Sequence, residues 1–271
     1  EFDRLGLVVI DEQHRFGVAQ REELTRTRGS RACTPHFLSM TATPIPRSLA
    51  LTIYGDLEVS LIRQKPKGRQ PIKTSLCVGD ERARAYAAIR EAVKRGEQAF
   101  VVCPLVDPSD ALGVRSATEE RTRLEQGPLF GLRLGLVHGR LKPAEKEEAM
   151  NAFARHELDV LVATAVIEVG VDVPNATVMV IEGAERFGLA QLHQFRGRVG
   201  RSAKSSFCYL LTDAEQSTAR LELLERIDDG FALAEEDLRL RGSGQLMGTE
   251  QSGHGAFKTV RETDLKLMAL A

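Results

Sequence analysis

Tryptophan is absent from this sequence and aromatic residues make up only 5% of it, so any core must be mainly aliphatic. No two of the cysteines, Cys33, Cys77, Cys103 and Cys208, stand close enough for a Cys-x-x-Cys pair. That argues against a zinc site or a disulfide scaffold. Cys103, behind the apolar run Phe100–Val102, reads as a buried free thiol. Neither a signal-peptide pattern nor a long apolar segment occurs, so the expected location is the cytoplasm. Charge of one sign is not in excess: 37 Lys and Arg face 38 Asp and Glu, for a net charge of −1. A strongly basic domain would point to nucleic acid from charge alone, and this balance excludes that route. Any contact with a nucleic acid must come from local patches. Arg26–Arg31 (RTRGSR) and Lys65–Arg69 (KPKGR) are two, and both also read as solvated loops.

What is present is ordinary globular composition, 42% hydrophobic and 28% charged over 271 residues. At roughly 100–200 residues per domain this means two domains, or one domain and two pieces. The chain starts at Glu1 and enters an apparent buried strand at Leu7, which is the pattern expected of a piece of a longer protein.

Short apolar runs ending at polar or turn residues mark strands at Leu7–Ile10, Phe37–Met40, Ala99–Cys103, Leu134–Val137, Val160–Ala163, Thr177–Ile181 and Phe207–Leu211. Helical spacing lies between them, at Val18–Thr27, Pro46–Tyr54, Glu81–Arg95, Ser116–Gln126, Lys142–Arg155 and Leu189–Arg196. Strands alternating with helices predict an α/β fold, a parallel sheet with helices on both faces. Gln64–Pro71 (QKPKGRQP) reads as a linker. The expected organisation is therefore a partial α/β domain over 1–63, a linker over 64–71, a complete five-stranded α/β domain over 72–213, and a helical, then glycine-rich, segment over 214–271.

Several strings at strand ends can carry chemistry. Asp11-Glu12-Gln13-His14 follows the first strand, and in open parallel sheets ligands bind at the carboxyl ends of strands. An Asp there can hold Mg²⁺, and a neighbouring Glu can orient or deprotonate water. An acidic helix start complementing the helix dipole is the competing explanation. Thr41-Ala42-Thr43-Pro44 follows the second strand; its hydroxyls can meet a phosphate or the acidic group, or Thr43 simply caps a helix. In Val169–Pro174, Gly170 permits close approach to a ligand and Asp172 can accept from a ribose hydroxyl, although a tight turn explains both as well. The most specific string is Gln194–Arg201 (QFRGRVGR), where glycines alternate with arginines. Arginine forks onto phosphate oxygens, and glycine lets a chain lie close to a ligand. His138-Gly139-Arg140 also ends a strand and suits either a nucleic-acid backbone or a structural hydrogen bond.

Taken in this order, these strings resemble the motifs of superfamily-2 helicases. Asp11–His14 looks like the Walker B acidic box of motif II, Thr41–Thr43 like motif III, Val162–Pro174 like motif V and Gln194–Arg201 like motif VI. IDEQHRFG, MTATPIPR, LVHGRLKPAEK, ATAVIEVGVDVPNA and FGLAQLHQFRGRVGRS all resemble the RecG family. Asp229–Gly253 resembles the translocation motif shared by that family and the transcription-repair coupling factor. Gln13 and LVHGRLKPAEK favour the RecG family of the two. The resemblance covers nearly the whole chain.

It implies two RecA-like lobes closing on ATP and Mg²⁺. Asp11 would serve the metal and Glu12 the attacking water. Arg198 and Arg201 would reach the γ-phosphate from the second lobe. Gln194, Gly170, Asp172, Thr41 and Thr43 would line the nucleotide. His14, His138, Arg241 and Gln251 would couple closure to movement on branched or duplex DNA, in fork remodelling, recombination and repair. One feature departs from the pattern: no G-x-x-x-x-G-K-[ST] phosphate loop occurs. That loop and a wedge domain are expected upstream on the same polypeptide, and the chain alone is expected neither to hydrolyse ATP nor to unwind DNA. Two alternatives stay open, a coupling-factor translocase and a catalytically incomplete DNA-binding lobe. A nucleotide-binding metabolic enzyme would need a G-x-G-x-x-G fingerprint, which is missing.

Overall fold

The computed structural model describes residues 6–12, 35–42, 58–62, 64, 69–104, 111–164, 173–213 and 218–241. It comprises two compact units, Glu1–Pro44 and Ile45–Ala271.

In the first unit, β1 (Leu7–Asp11) and β2 (His36–Met40) pair in parallel, with Asp11 opposite Met40. The run Leu7–Ile10 reads in sequence as a strand buried on both faces, but its burial alternates. Val8 and Ile10 are buried, while Leu7 and Val9 are 56% and 50% exposed. Successive side chains of a strand point to opposite faces, and only one face of β1 is covered.

The second unit holds a six-stranded sheet. Its strands are β3 (Ile72–Val78), β4 (Gln98–Val102), β5 (Leu134–Val137), β6 (Val160–Ala163), β7 (Ala176–Ile181) and β8 (Ser206–Thr212). They lie in the order β3-β8-β7-β4-β6-β5, and every neighbouring pair is parallel. Five strands are legible in the sequence here, and β3 is the sixth. It is an edge strand of mixed character, IKTSLCV, mostly half-buried, so no apolar run announces it.

The central strands β4, β6 and β7 are buried along their whole length because helices cover both faces of the sheet. On one face, α1 (Arg82–Lys94) and α2 (Ala111–Gln126) set Tyr86, Ile89 and Leu124 against Val101, Val162 and Val180. On the other lie α3 (Pro143–Ala154), α4 (Leu189–Arg196), α5 (Thr218–Arg226) and α6 (Gly230–Arg241). They contribute Phe153, Leu192, Phe195, Leu224 and Leu233, packed with Phe100, Val102 and Ile181. Burial of each such large side chain contributes about 1.5–3 kcal/mol.

Local sequence sets the helix ends. Gly96, at φ +74°, closes α1 in a Schellman arrangement, with Gly96 N–H donating to Val93 O and Glu97 N–H to Ala92 O. Pro143 opens α3, where its missing N–H costs nothing, and Glu145 accepts from the Lys142 N–H at 2.8 Å. The helices read at Val18–Thr27 and Pro46–Tyr54, and the glycine-rich tract Gly242–Gly255, lie outside the described residues. No helix among the described residues is long and apolar enough to cross a membrane.

Candidate functional site

In the first unit, parallel pairing brings the ends of β1 and β2 side by side. Asp11 closes β1, and its Oδ1 accepts the backbone N–H of Glu12 at 2.9 Å. Glu12 sits at φ +49°, a left-handed conformation that costs a non-glycine residue of order 1–3 kcal/mol. The turn aims its carboxylate back toward β2, where the Thr41 hydroxyl donates to Glu12 Oε2 at 3.3 Å. The Thr41 hydroxyl thus meets the acidic group, one of the two partners that the sequence leaves open for it. Asp11 is exposed and offers hard carboxylate oxygens, the donor class that Mg²⁺ takes.

In the second unit, α4 leaves the carboxyl end of β7 and runs back across the sheet. The turn after it lies at the amino end, where the Gly200 backbone meets Ile72 and Ser206, the first residues of β3 and β8. Gly200 stands at φ +71°, and a Cβ there would lie 2.8 Å from Ile72 Cγ1. Its lack of a side chain therefore serves packing on β3, where the sequence alone suggests close approach to a ligand. Arg198 is half-buried and Arg201 exposed. Arg201 Nε donates to the Gly197 carbonyl at 3.2 Å, and Arg69 Nη2 donates to the same oxygen at 3.2 Å. Gln194 is half-buried within α4.

The third arginine of the string, Arg196, is not available to a phosphate. It is 2% exposed. Its Nη1 donates to Leu224 O at 2.8 Å and Ile227 O at 3.0 Å, and its Nη2 to Asp228 O at 3.3 Å. His193 Nδ1 lies 2.8 Å from Nη2, and the Asp228 carboxylate is 3.9 Å away. Arg196 thereby fastens α4 to the end of α5. Its helical position betrays this: it follows Leu192 by four residues, on the face that carries Leu189 and Leu192 into the core.

His138 and Thr164 follow β5 and β6, whose last residues Val137 and Ala163 are partners. Thr164 is fully buried, and its hydroxyl finds no hydrogen-bond partner among the described residues; nor does His138 Nδ1. Burial, with Lys146 and Arg140 nearby, holds the His138 imidazolium below its ordinary pKa. Lys146 Nζ donates to Gly139 O at 2.9 Å. Two orphaned polar atoms at adjacent strand ends mark a place for an oxygen-rich ligand or water. Thr164 lies in the string that resembles motif V, but inside an apolar run where residue type does not single it out.

Farther along the carboxyl edge, Glu182 follows β7, buried among Tyr86, Arg82 and Arg123. The Tyr86 hydroxyl donates to Oε1 and Arg82 Nη1 to Oε2 at 2.6 Å. Burial raises the Glu182 carboxyl above the usual carboxylate range despite these donors. Arg82 also reaches Asp213 at 2.7 Å, so this network ties α1 to the ends of β7 and β8.

The sequence candidates thus fall into separate groups. Asp11, Glu12 and Thr41 share one strand-end cluster; Gln194, Arg198 and Arg201 share another at the amino edge of the larger sheet; His138 sits at that sheet's carboxyl edge. His14, Thr43, Gly170, Asp172 and Gln251 lie outside the described residues, and Arg241 is placed only as the last residue of α6.

The family model described as Helicase conserved C-terminal domain matches residues 84–203. The ATP-dependent DNA helicase RecG of Synechocystis sp. is 55% identical to this chain, covering 99% of it and 32% of that protein. A solved structure of RecG bound to a three-way DNA junction is 44% identical, with a TM-score of 0.74 over 99% of this chain and 34% of that one. S. cerevisiae Dbp5 bound to RNA and ADP BeF3 shares the fold alone, at 14% identity and a TM-score of 0.58, over 85% of this chain and 59% of its own. The larger sheet is therefore a RecA-like helicase lobe. The chain spans about a third of the length of the RecG relative and of the RecG structure it matches. Over that third, with identity running from end to end, the chain belongs to the RecG family of ATP-dependent DNA helicases.

Proposed function

We propose that this chain is the motor's rear part in a longer ATP-dependent duplex-DNA translocase, one that remodels stalled replication forks and branched junctions in recombination and repair. In this reading residues 1–63 end the first lobe, 64–71 link the lobes, 72–213 form the second lobe and 214–271 carry the translocation hairpin. Such an enzyme works in the cytoplasm.

The observation that carries the reading is the Thr41–Glu12 hydrogen bond beside Asp11. Glu12 is held to orient the attacking water, and Asp11 to hold Mg²⁺. The metal, when bound, neutralises charge on the phosphates. Arg198 and Arg201 stabilise charge developing on the γ-phosphoryl group, and Gln194, Thr43, Gly170 and Asp172 line the nucleotide. The upstream segment supplies the phosphate loop, which no string in these 271 residues matches. His138, with Thr164 beside it, takes a DNA backbone phosphate, while His14, Arg241 and Gln251 couple lobe closure to movement.

The test is strand rearrangement. The full-length protein, given ATP, Mg²⁺ and a labelled fork, is expected to convert the fork to re-annealed duplex products. Hydrolysis without any change in the fork would favour the coupling-factor type of translocase. Inert protein would favour a DNA-binding lobe without motor activity.

A further inference from the structure

Parallel strands that are neighbours bring the segments before them into contact. β3 and β8 are such a pair, with Ile72 opposite Ser206. What precedes β3 is the segment read as the linker. What precedes β8 is the arginine turn Gly197–Arg201. Gly200 shows how closely they meet, since a Cβ there would clash with Ile72.

One side chain crosses between them. Arg69, half-buried and three residues before β3, donates Nη2 to the Gly197 carbonyl at 3.2 Å. That carbonyl caps the carboxyl end of α4, where the helix dipole concentrates negative partial charge and favours cationic donors. Its second lone pair is taken by Arg201 Nε, also at 3.2 Å. Two guanidinium groups from positions far apart in sequence thus share one oxygen. Arg69 makes no ion pair with a described carboxylate, so this carbonyl is its described partner.

We infer that Arg69 is a positioning residue for Arg201: by pinning the Gly197 carbonyl it holds the turn that presents Arg201, and it makes that presentation depend on the linker's placement. The inference rests on Arg201 acting at the γ-phosphate. Arg69 itself stays off the nucleotide.

The experiment compares Arg69→Ala, Arg69→Lys, Arg201→Ala and the double alanine variant in the full-length protein, with ATP and saturating forked DNA. The readouts are kcat, the KM for ATP and the unfolding midpoint. Arg69→Ala is expected to lower kcat by ~10- to ~100-fold, the range a slight misplacement of a catalytic group produces. The KM for ATP should move less than about two-fold, because uniform binding is untouched. Lys, which keeps a cationic donor, should restore most of the rate. On the Arg201→Ala background, loss of Arg69 should cost nothing more, since the two act in series.

If the alanine variant does not fold, Arg69→Met keeps the apolar stem without the guanidinium and takes its place. Wild-type kcat in Arg69→Ala, or in Arg69→Met where that replaces it, overturns the inference. So does a raised KM with losses that add across the double variant, which would make Arg69 a phosphate ligand in its own right. Normal turnover in Arg201→Ala would instead remove the reading beneath it. A collapsed Arg201→Ala beside an unaffected Arg69→Ala would overturn this inference alone.

Discussion

Arg201→Ala in the full-length protein is expected to lower the turnover of ATP at least ~10³-fold while leaving ATP binding close to wild type. The expectation follows from where the side chain sits. Arg201 is exposed at the amino edge of the sheet, tethered by Nε to the Gly197 carbonyl. That bond holds the guanidinium against the turn that follows α4. The turn beneath it is rigid, because Val199 is buried and Gly200 lies hard against Ile72. If Arg201 meets the γ-phosphate as proposed, such a turn preorganises it for charge that develops in the transition state. Interactions of that kind raise kcat and leave ground-state binding alone. Single-turnover hydrolysis beside nucleotide titration separates the two effects. Near-normal turnover would take Arg201 out of the site.

The second large effect is on stability. Arg196→Met should lower the unfolding free energy by about 2–4 kcal/mol, because it strands backbone carbonyls that the buried guanidinium now satisfies. In a unit of this size that corresponds to a fall in unfolding midpoint of order 5–10 °C. Methionine keeps the stem, so the loss reports on the guanidinium rather than on a cavity. The acceptors matter: Leu224, Ile227 and Asp228 O all belong to the end of α5 and the turn after it. Loosening them frees α5 and α6 from α4. Strand rearrangement should therefore fall by more than ATP hydrolysis does, if the hairpin transmits closure to DNA. Calorimetry of the full-length variant measures the first effect. An unchanged midpoint would mean that these carbonyls are satisfied equally well without Arg196.

Much of the larger sheet is legible in the sequence because its central strands are buried on both faces. Val160–Ala163 and Thr177–Ile181 have no polar interruption inside them, and helical spacing marks Leu189–Arg196 at its observed ends. β3 escapes because an edge strand needs only partial burial, and Lys73, Thr74 and Ser75 break the apolar signal. The chemistry divides in the same way. As candidates, Asp11, Glu12, Arg198 and Arg201 stand out by residue type next to strand or helix ends. What residue type hides is partnership. Nothing local in the string QFRGRVGR separates the buried Arg196 from the exposed Arg201 except helical phase. The contact from Arg69 to Gly197 spans 128 residues and exists only because β3 and β8 are neighbours in the sheet. Thr41 and Glu12 meet for the equivalent reason in the smaller sheet, through the pairing of β1 with β2.

The most direct single measurement is the rate of ATP hydrolysis by the full-length protein with no DNA, with linear duplex and with a fork of equal length. A RecG-type motor predicts hydrolysis that rises with DNA and rises most with the fork. Hydrolysis that linear duplex stimulates as strongly as the fork would contradict a branch-directed motor, and no hydrolysis under any of the three conditions would contradict a motor altogether.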